Sequence, residues 1–287
     1  MRGASLAGEG DDARVKIAAA VSLALALAAC SAENEEDYSD LDDIDAIAGK
    51  ADGFSDWQLV GTGVAYLQVN TGHGVLIAYG GYTARLSDSA AWASELVDAK
   101  LGAADVGHIF AVRGPADAAY AAREIANTKL RAKLATFDDG AAPIYIVAHS
   151  SGSFVAHELL GQVTNANPAL LGRISYANLD GGGSGLTSTI AGALAHLELV
   201  YARDPAAGLS RNASSMTSLA STYAPEATAF EVRVPGTGCQ VGASWCLHDV
   251  VITHRPHNSS TFDLAHDYTD FVGRAATTEY LDPFLTP

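Results

Sequence analysis

The residues best placed to do chemistry begin with Ser150, in Ala148-His149-Ser150-Ser151-Gly152, where a short apolar run stops at a serine between small residues. A serine hydroxyl is a weak nucleophile until a histidine takes its proton and a carboxylate orients that histidine. Candidate carboxylates follow at Asp180, in Asn178-Leu179-Asp180-Gly181-Gly182, and at Asp204, after Leu199-Val200-Tyr201-Ala202. Candidate histidines come later, His248 in Cys246-Leu247-His248 and His257 in Arg255-Pro256-His257-Asn258. Such a set attacks an acyl carbonyl through a covalent acyl-serine. His73 and His108 precede the serine, His149 adjoins it and His157 lies just beyond it; these read as packing or surface residues, and His254 and His266 as incidental.

What must position these residues is legible around Ser150. Ile144 to Val147 is a β-branched and aromatic run too short for a helix, bounded upstream by Asp138-Asp139-Gly140 and Pro143, which predicts a buried strand. Phe154, Val155, Leu159 and Leu160 recur at helical spacing directly afterwards. Ser150 therefore sits at a sharp strand-to-helix corner, beside backbone N–H groups at a helix N-terminus that can hold an oxyanion. That turn needs very small residues on both sides of the serine, and Ala148 and Gly152 supply them. The stretch resembles the G-x-S-x-G nucleophile elbow of the α/β-hydrolases, with Ala148 in place of the first glycine.

Along the rest of the chain, strand-like and helix-like patterns alternate. Strands are predicted at 57–60, 63–69, 75–79, 106–112, 144–147, 173–179, 198–202 and 228–234, with helices beginning near Ser87/Asp88 and through Tyr120 to Leu134, Leu186 to Leu197, Ser214 to Tyr223 and Phe262 to Val272. This rhythm predicts an α/β fold with a mostly parallel eight-stranded sheet and helices on both faces. The succession resembles the whole α/β-hydrolase fold from Trp57 to the C-terminus. The segments between the last three strands are short, so no large cap domain is expected.

The resemblance implies roles for particular residues. Gly80-Gly81-Tyr82 follows the third strand, where the family supplies an oxyanion N–H, so Gly81 or Tyr82 would act with the N–H of Ser151. Asp204 ends the predicted seventh strand, the family's usual place for the acid. Asp180 ends the sixth, as in the pancreatic lipases, and the glycines after it leave room for an imidazole. Asp180 is preferred and Asp204 stays open. Cys246-Leu247-His248 resembles the Cys-x-His of the pancreatic lipases and favours His248 in a loop after the eighth strand. His257 stays open, since Asp249 to Thr253 is β-branched enough to be the last strand instead.

The N-terminus reads as an export signal. The apolar run Ile17 to Ala29 follows Arg14 and Lys16 and ends in Leu27-Ala28-Ala29-Cys30, which resembles a bacterial lipobox with Cys30 as the lipidated residue. The acids Glu9, Asp11 and Asp12 are foreign to such a signal, and translation from Val15 would remove them. Residues 31 to 56 hold ten acids against one base and few large apolar groups, which predicts a solvated tether. Three domains of use are thus expected: a signal over 1–29, an acidic tether over 30–56 and the catalytic unit over 57–287. With Cys30 lipidated, Cys239 and Cys246 remain, and in an oxidising compartment they are expected to pair.

A formal net charge of −16 and the lack of a Lys/Arg cluster argue against nucleic-acid binding. Two cysteines are too few for a zinc site, and neither metal nor organic cofactor is expected. The sequence predicts a membrane-anchored serine hydrolase acting on small or medium acyl esters, small-molecule or lipid. A non-catalytic surface binding protein on the same scaffold, or a peptidase or acyltransferase using the same residues, are the alternatives.

Overall fold

The computed structural model describes residues 57–61, 63–69, 71–82, 84–99, 101, 106–115, 120–137, 142–233, 237 and 239–253. The predicted signal over 1–29, with Cys30, the tether over 30–56, His257 and the predicted helix over 262–272 lie outside them. The apolar runs become strands β1 (Gln58–Gly61), β2 (Val64–Gln68), β3 (Gly74–Tyr79), β4 (Val106–Val112), β5 (Ile144–His149), β6 (Ile174–Leu179), β7 (His196–Asp204), β8 (Gly208–Leu209) and β9 (Ala227–Arg233). The helices are α1 (Leu86–Ala99), α2 (Tyr120–Leu134), α3 (Gly152–Ala166), α4 (Ser188–Ala191), α5 (Ala213–Thr222) and α6 (Ser244–Thr253). None of the helices among the described residues is long and apolar enough to cross a membrane.

The expectation of an eight-stranded, mostly parallel α/β-hydrolase sheet is corrected by the pairing. Among the described residues the sheet has nine strands in the order β1-β2-β4-β3-β5-β6-β7-β8, with β9 also on β7, and it is mixed. β1–β2, β2–β4 and β7–β8 run antiparallel, while β3–β4, β3–β5, β5–β6, β6–β7 and β7–β9 run parallel. The physical reason lies in the connections. A parallel neighbour needs a long crossover, and the turns joining β1 to β2 and β7 to β8 are too short to provide one. The two-residue β8, where periodicity has almost nothing to register, is the strand the sequence did not announce.

Alternation along the strands divides the core between the two faces. Ile77, Tyr79, Ile146, Ala148, Tyr176 and Leu199 pack under α2, α3 and α5, whereas Leu76, Ala78, Val147, Leu179, Val200 and Ala202 pack under α1 and α6. Tyr79 is fixed within its layer by its hydroxyl, which donates to Asn127 Oδ1 at 3.0 Å.

Two local expectations also change. The predicted helix from Leu186 to Leu197 contracts to α4, capped by Thr187 Oγ1 accepting from Ile190 N at 3.2 Å, and β7 starts already at His196. The region of His248, expected as a loop, with Asp249 to Thr253 as a possible strand, is the helix α6. Leu247, Val250 and Val251 recur on one helical face and are fully buried, so burial overrides the weak helix propensity of the β-branched residues.

Candidate active site

β5 ends at His149, and Ser150 follows with φ of +53°. A left-handed backbone costs a non-glycine residue roughly 1–2 kcal/mol, so the surrounding structure must impose it. Two sets of contacts do so. Ser150 N donates to Leu179 O at 3.0 Å, continuing the β5–β6 ladder by one residue, and Ser153 N returns to Ser150 O at 3.1 Å. On the other side, a Cβ on Gly152 would run into Gly80 O and lie 2.8 Å from Tyr79 O, so the start of α3 rests directly on the backbone leaving β3. Ala148 is tolerated where a glycine was the pattern because its methyl is fully buried in the core between Tyr79 and Asn178, its register partners.

Ser151 is the N-cap of α3 and makes no side-chain capping bond, and no acceptor among the described residues takes its N–H. Gly81 and Tyr82 lie just past β3, the strand next to β5, with Gly81 O bound by Ala84 N at 3.1 Å and Tyr82 about half exposed.

Asp180 occupies the matching position one strand over. His149 and Leu179 are register partners, so Ser150 and Asp180 leave adjacent strands side by side, and Asp180 too has a positive φ, +45°. Its side chain is fully buried. Burying a carboxylate is costly unless its oxygens are bonded, and here both are. Oδ1 accepts from Ser210 Oγ at 2.8 Å, Asn212 N is shared between Oδ1 and Oδ2 at 3.2 and 3.3 Å, and Oδ2 lies 2.6 Å from His248 Nδ1. Asn212 Nδ2 holds the backbone oxygen of Asp180 at 2.6 Å.

The sheet explains how Ser210 reaches this place. Asp180 N is the last β6 group on β7, donating to Val200 O at 2.8 Å; two residues on, the same edge of β7 is taken over by the segment after β8. There Ser210 N donates to Ala202 O at 2.9 Å, and Ala202 N donates to Ser210 Oγ at 3.0 Å. The Ser210 hydroxyl therefore accepts from the sheet and must give its proton to Asp180.

His248 rises from α6 and is buried. A carboxylate only accepts, so Nδ1 carries the proton of the His248–Asp180 bond and Nε2 is left with the lone pair. His149 packs against it, ring centroids 4.7 Å apart, and its Nε2 donates to the His248 backbone oxygen at 3.3 Å. Burial, reinforced by the neighbouring imidazole, drives the His149 pKa well below the usual histidine value, so His149 is neutral. Trp245 meets the His248 ring edge-on at 5.3 Å, and the Arg211 guanidinium lies 3.8 Å from the Trp245 ring centre. Cys239 and Cys246 form a disulfide, fastening the first turn of α6 to the preceding loop.

The remaining candidates are placed elsewhere. Asp204 ends β7 as a loop staple: Oδ2 accepts from Thr237 N at 3.0 Å and Thr237 Oγ1 at 2.6 Å, and Oδ1 from Ala206 N at 2.9 Å. The Thr237 hydroxyl is the main cause of its lowered pKa. His157 is buried, with Nδ1 donating to Ser184 O at 2.8 Å and Nε2 accepting from Tyr176 OH at 3.0 Å. One ligand atom from each of His149, His248 and Asp249 lies within 4.8 Å of the others. Of these rings, His248 Nδ1 is occupied by Asp180 and His149 Nε2 by a carbonyl, which leaves a metal only the opposite nitrogens.

Sequence reasoning did not find Ser210, Asn212 or the contact roles of His149, Trp245 and Arg211. Asn212 is the N-cap of α5 but makes no side-chain cap bond; its amide is turned to Asp180.

No family model matches the chain, and no curated protein matches it. Among solved structures it is similar to a bifunctional GH43-CE protein of Bacteroides eggerthii, with 12% identity and a TM-score of 0.39, over 64% of this chain and 34% of that one. The chain thus spans about a third of that protein's length.

Proposed function

We propose that the chain is an esterase- or lipase-like serine hydrolase that cleaves carboxylic esters of small or medium acyl groups, carried on a lipid anchor at Cys30 after export. The observation that carries this reading is the buried His248–Asp180 bond of 2.6 Å set beside a serine held at a left-handed φ on the adjoining strand end. Ser150 Oγ attacks the acyl carbon, and its proton passes to His248 Nε2. The carbonyl oxygen becomes an oxyanion held by the Ser151 N–H with that of Gly81 or Tyr82. His248 then gives the proton to the leaving alcohol oxygen as the ester C–O bond breaks. Water attacks the acyl-serine by the same route, returning the hydroxyl to Ser150 and releasing the carboxylic acid. Asp180 keeps Nδ1–H pointed at itself and stabilises the imidazolium that forms in each half.

The test is labelling of the full chain with a fluorophosphonate, which phosphonylates an activated serine. Labelling is expected to vanish with Ser150→Ala, to fall by about 10³–10⁴ in rate with His248→Ala and Asp180→Asn, and to persist with Asp204→Asn. A folded wild-type chain that does not react, or one that still reacts after Ser150→Ala, would sink the proposal.

A further inference from the structure

We infer that Arg211, lying over the Trp245 ring, is a subsite for a carboxylate on the ester substrate; this rests on the hydrolase reading and narrows its substrate class. Trp245 is a large apolar side chain left 54% exposed, yet it is in edge contact with the imidazole of His248. Arg211 is also exposed, and no carboxylate pairs with it among the described residues; the nearest acid in the chain of contacts, Asp180, is already engaged by His248, Ser210 and Asn212. In a chain of net charge −16, an uncompensated guanidinium beside the reacting groups stands out.

The geometry suits carboxylate recognition. With its carbon 3.8 Å over the indole, the guanidinium keeps N–H donors that the ring does not engage and that can form a two-pronged bond to a carboxylate. The indole also covers the cation from one side, which strengthens its attraction for an anion relative to a fully hydrated arginine. Position is fixed from the backbone, because the next residue, Asn212, is bonded to Asp180 through both its N–H and its side chain. The separations of 5.3 Å from His248 to Trp245 and 3.8 Å from Trp245 to Arg211 keep the cation within one small-molecule length of the imidazole. The subsite therefore reads an anionic group on the same small ester whose acyl carbon meets Ser150.

The test compares para-acetoxybenzoate with its neutral isostere para-acetoxybenzamide on the full chain. In both, the acetyl group moves to Ser150 Oγ as the aryl C–O bond breaks, and the serine proton leaves through His248 on the phenolic oxygen. The preference in kcat/KM for the anionic ester is expected to fall about tenfold in Arg211→Gln, the loss of one charge-assisted contact. Arg211→Met, which keeps an apolar stem over the indole, should behave alike. In parallel, binding of para-hydroxybenzoate is measured by calorimetry and should weaken about tenfold in both variants. A preference unchanged in Arg211→Gln, or retained in Arg211→Met, overturns the inference while fluorophosphonate labelling leaves the hydrolase reading intact. Absence of turnover and labelling, together with Arg211-dependent binding of the anion, overturns the hydrolase reading and leaves the carboxylate subsite standing.

Discussion

Ser150 and Asp180 are held in the same unfavourable backbone conformation on neighbouring strands, and each is compensated by bonds from the next strand along. Burial keeps His149 and His157 neutral. The His157 pKa is lowered to about 4 by burial, with the bond to Ser184 O opposing. Its folded value lies below the value near 6.5 of an unfolded histidine, so at lower pH the unfolded chain takes up a proton that the folded chain refuses. The contribution to stability is whole above pH 6.5 and falls as pH drops towards 4, by roughly 3 kcal/mol for His157. His149, also lowered, adds in the same direction. Thermal melts between pH 7 and 4 should show a falling Tm, and His157→Gln, which keeps a donor and an acceptor but does not titrate, should flatten that fall. An equally steep fall in the variant would show that the loss arises elsewhere.

Among the elements, the joint between α3 and β3 is the tightest point of the site. Gly152→Ala would place a methyl against the backbone oxygens of Tyr79 and Gly80, neither of which can yield cheaply, and should cost about 2–3 kcal/mol and displace the Ser151 N–H. Gly161→Ala in the same helix meets nothing and should gain up to about 1 kcal/mol from helix propensity. Melts of the two variants, set against their labelling rates, check the pair; comparable losses in both would contradict the packing argument. The joint was legible because small residues around a serine between a strand and a helix leave few other readings. The helix α6 was not, since Val250, Val251 and Ile252 carry strand propensity, and only their burial against β7 and the α1 side of the core makes the segment helical. Likewise, Asp180 and Asp204 are alike as sequence, each at a strand end. What separates them is which partner arrives from far along the chain, His248 for one and Thr237 for the other.

At the scale of the whole molecule, the alternation of strands and helices predicted a mostly parallel sheet, and the antiparallel pairs at β1, β2 and β8 that make it mixed depend on short connections that this alternation does not weigh. The lipid anchor proposed at Cys30 is open to a direct test. Cys30→Ser should move the protein from the membrane fraction to the soluble one in cells while fluorophosphonate labelling persists. Unchanged membrane association would remove the anchor from the proposal. The order in which the chain is made carries a last consequence. Asp180 and His248 stand 68 positions apart, and His248 comes after every strand among the described residues. On the proposed hydrolase reading, a ribosome makes Ser150, Asp180 and the residues that brace them before His248, so a nascent or prematurely terminated polypeptide lacks the proposed base, and full reactivity waits for the arrival of α6.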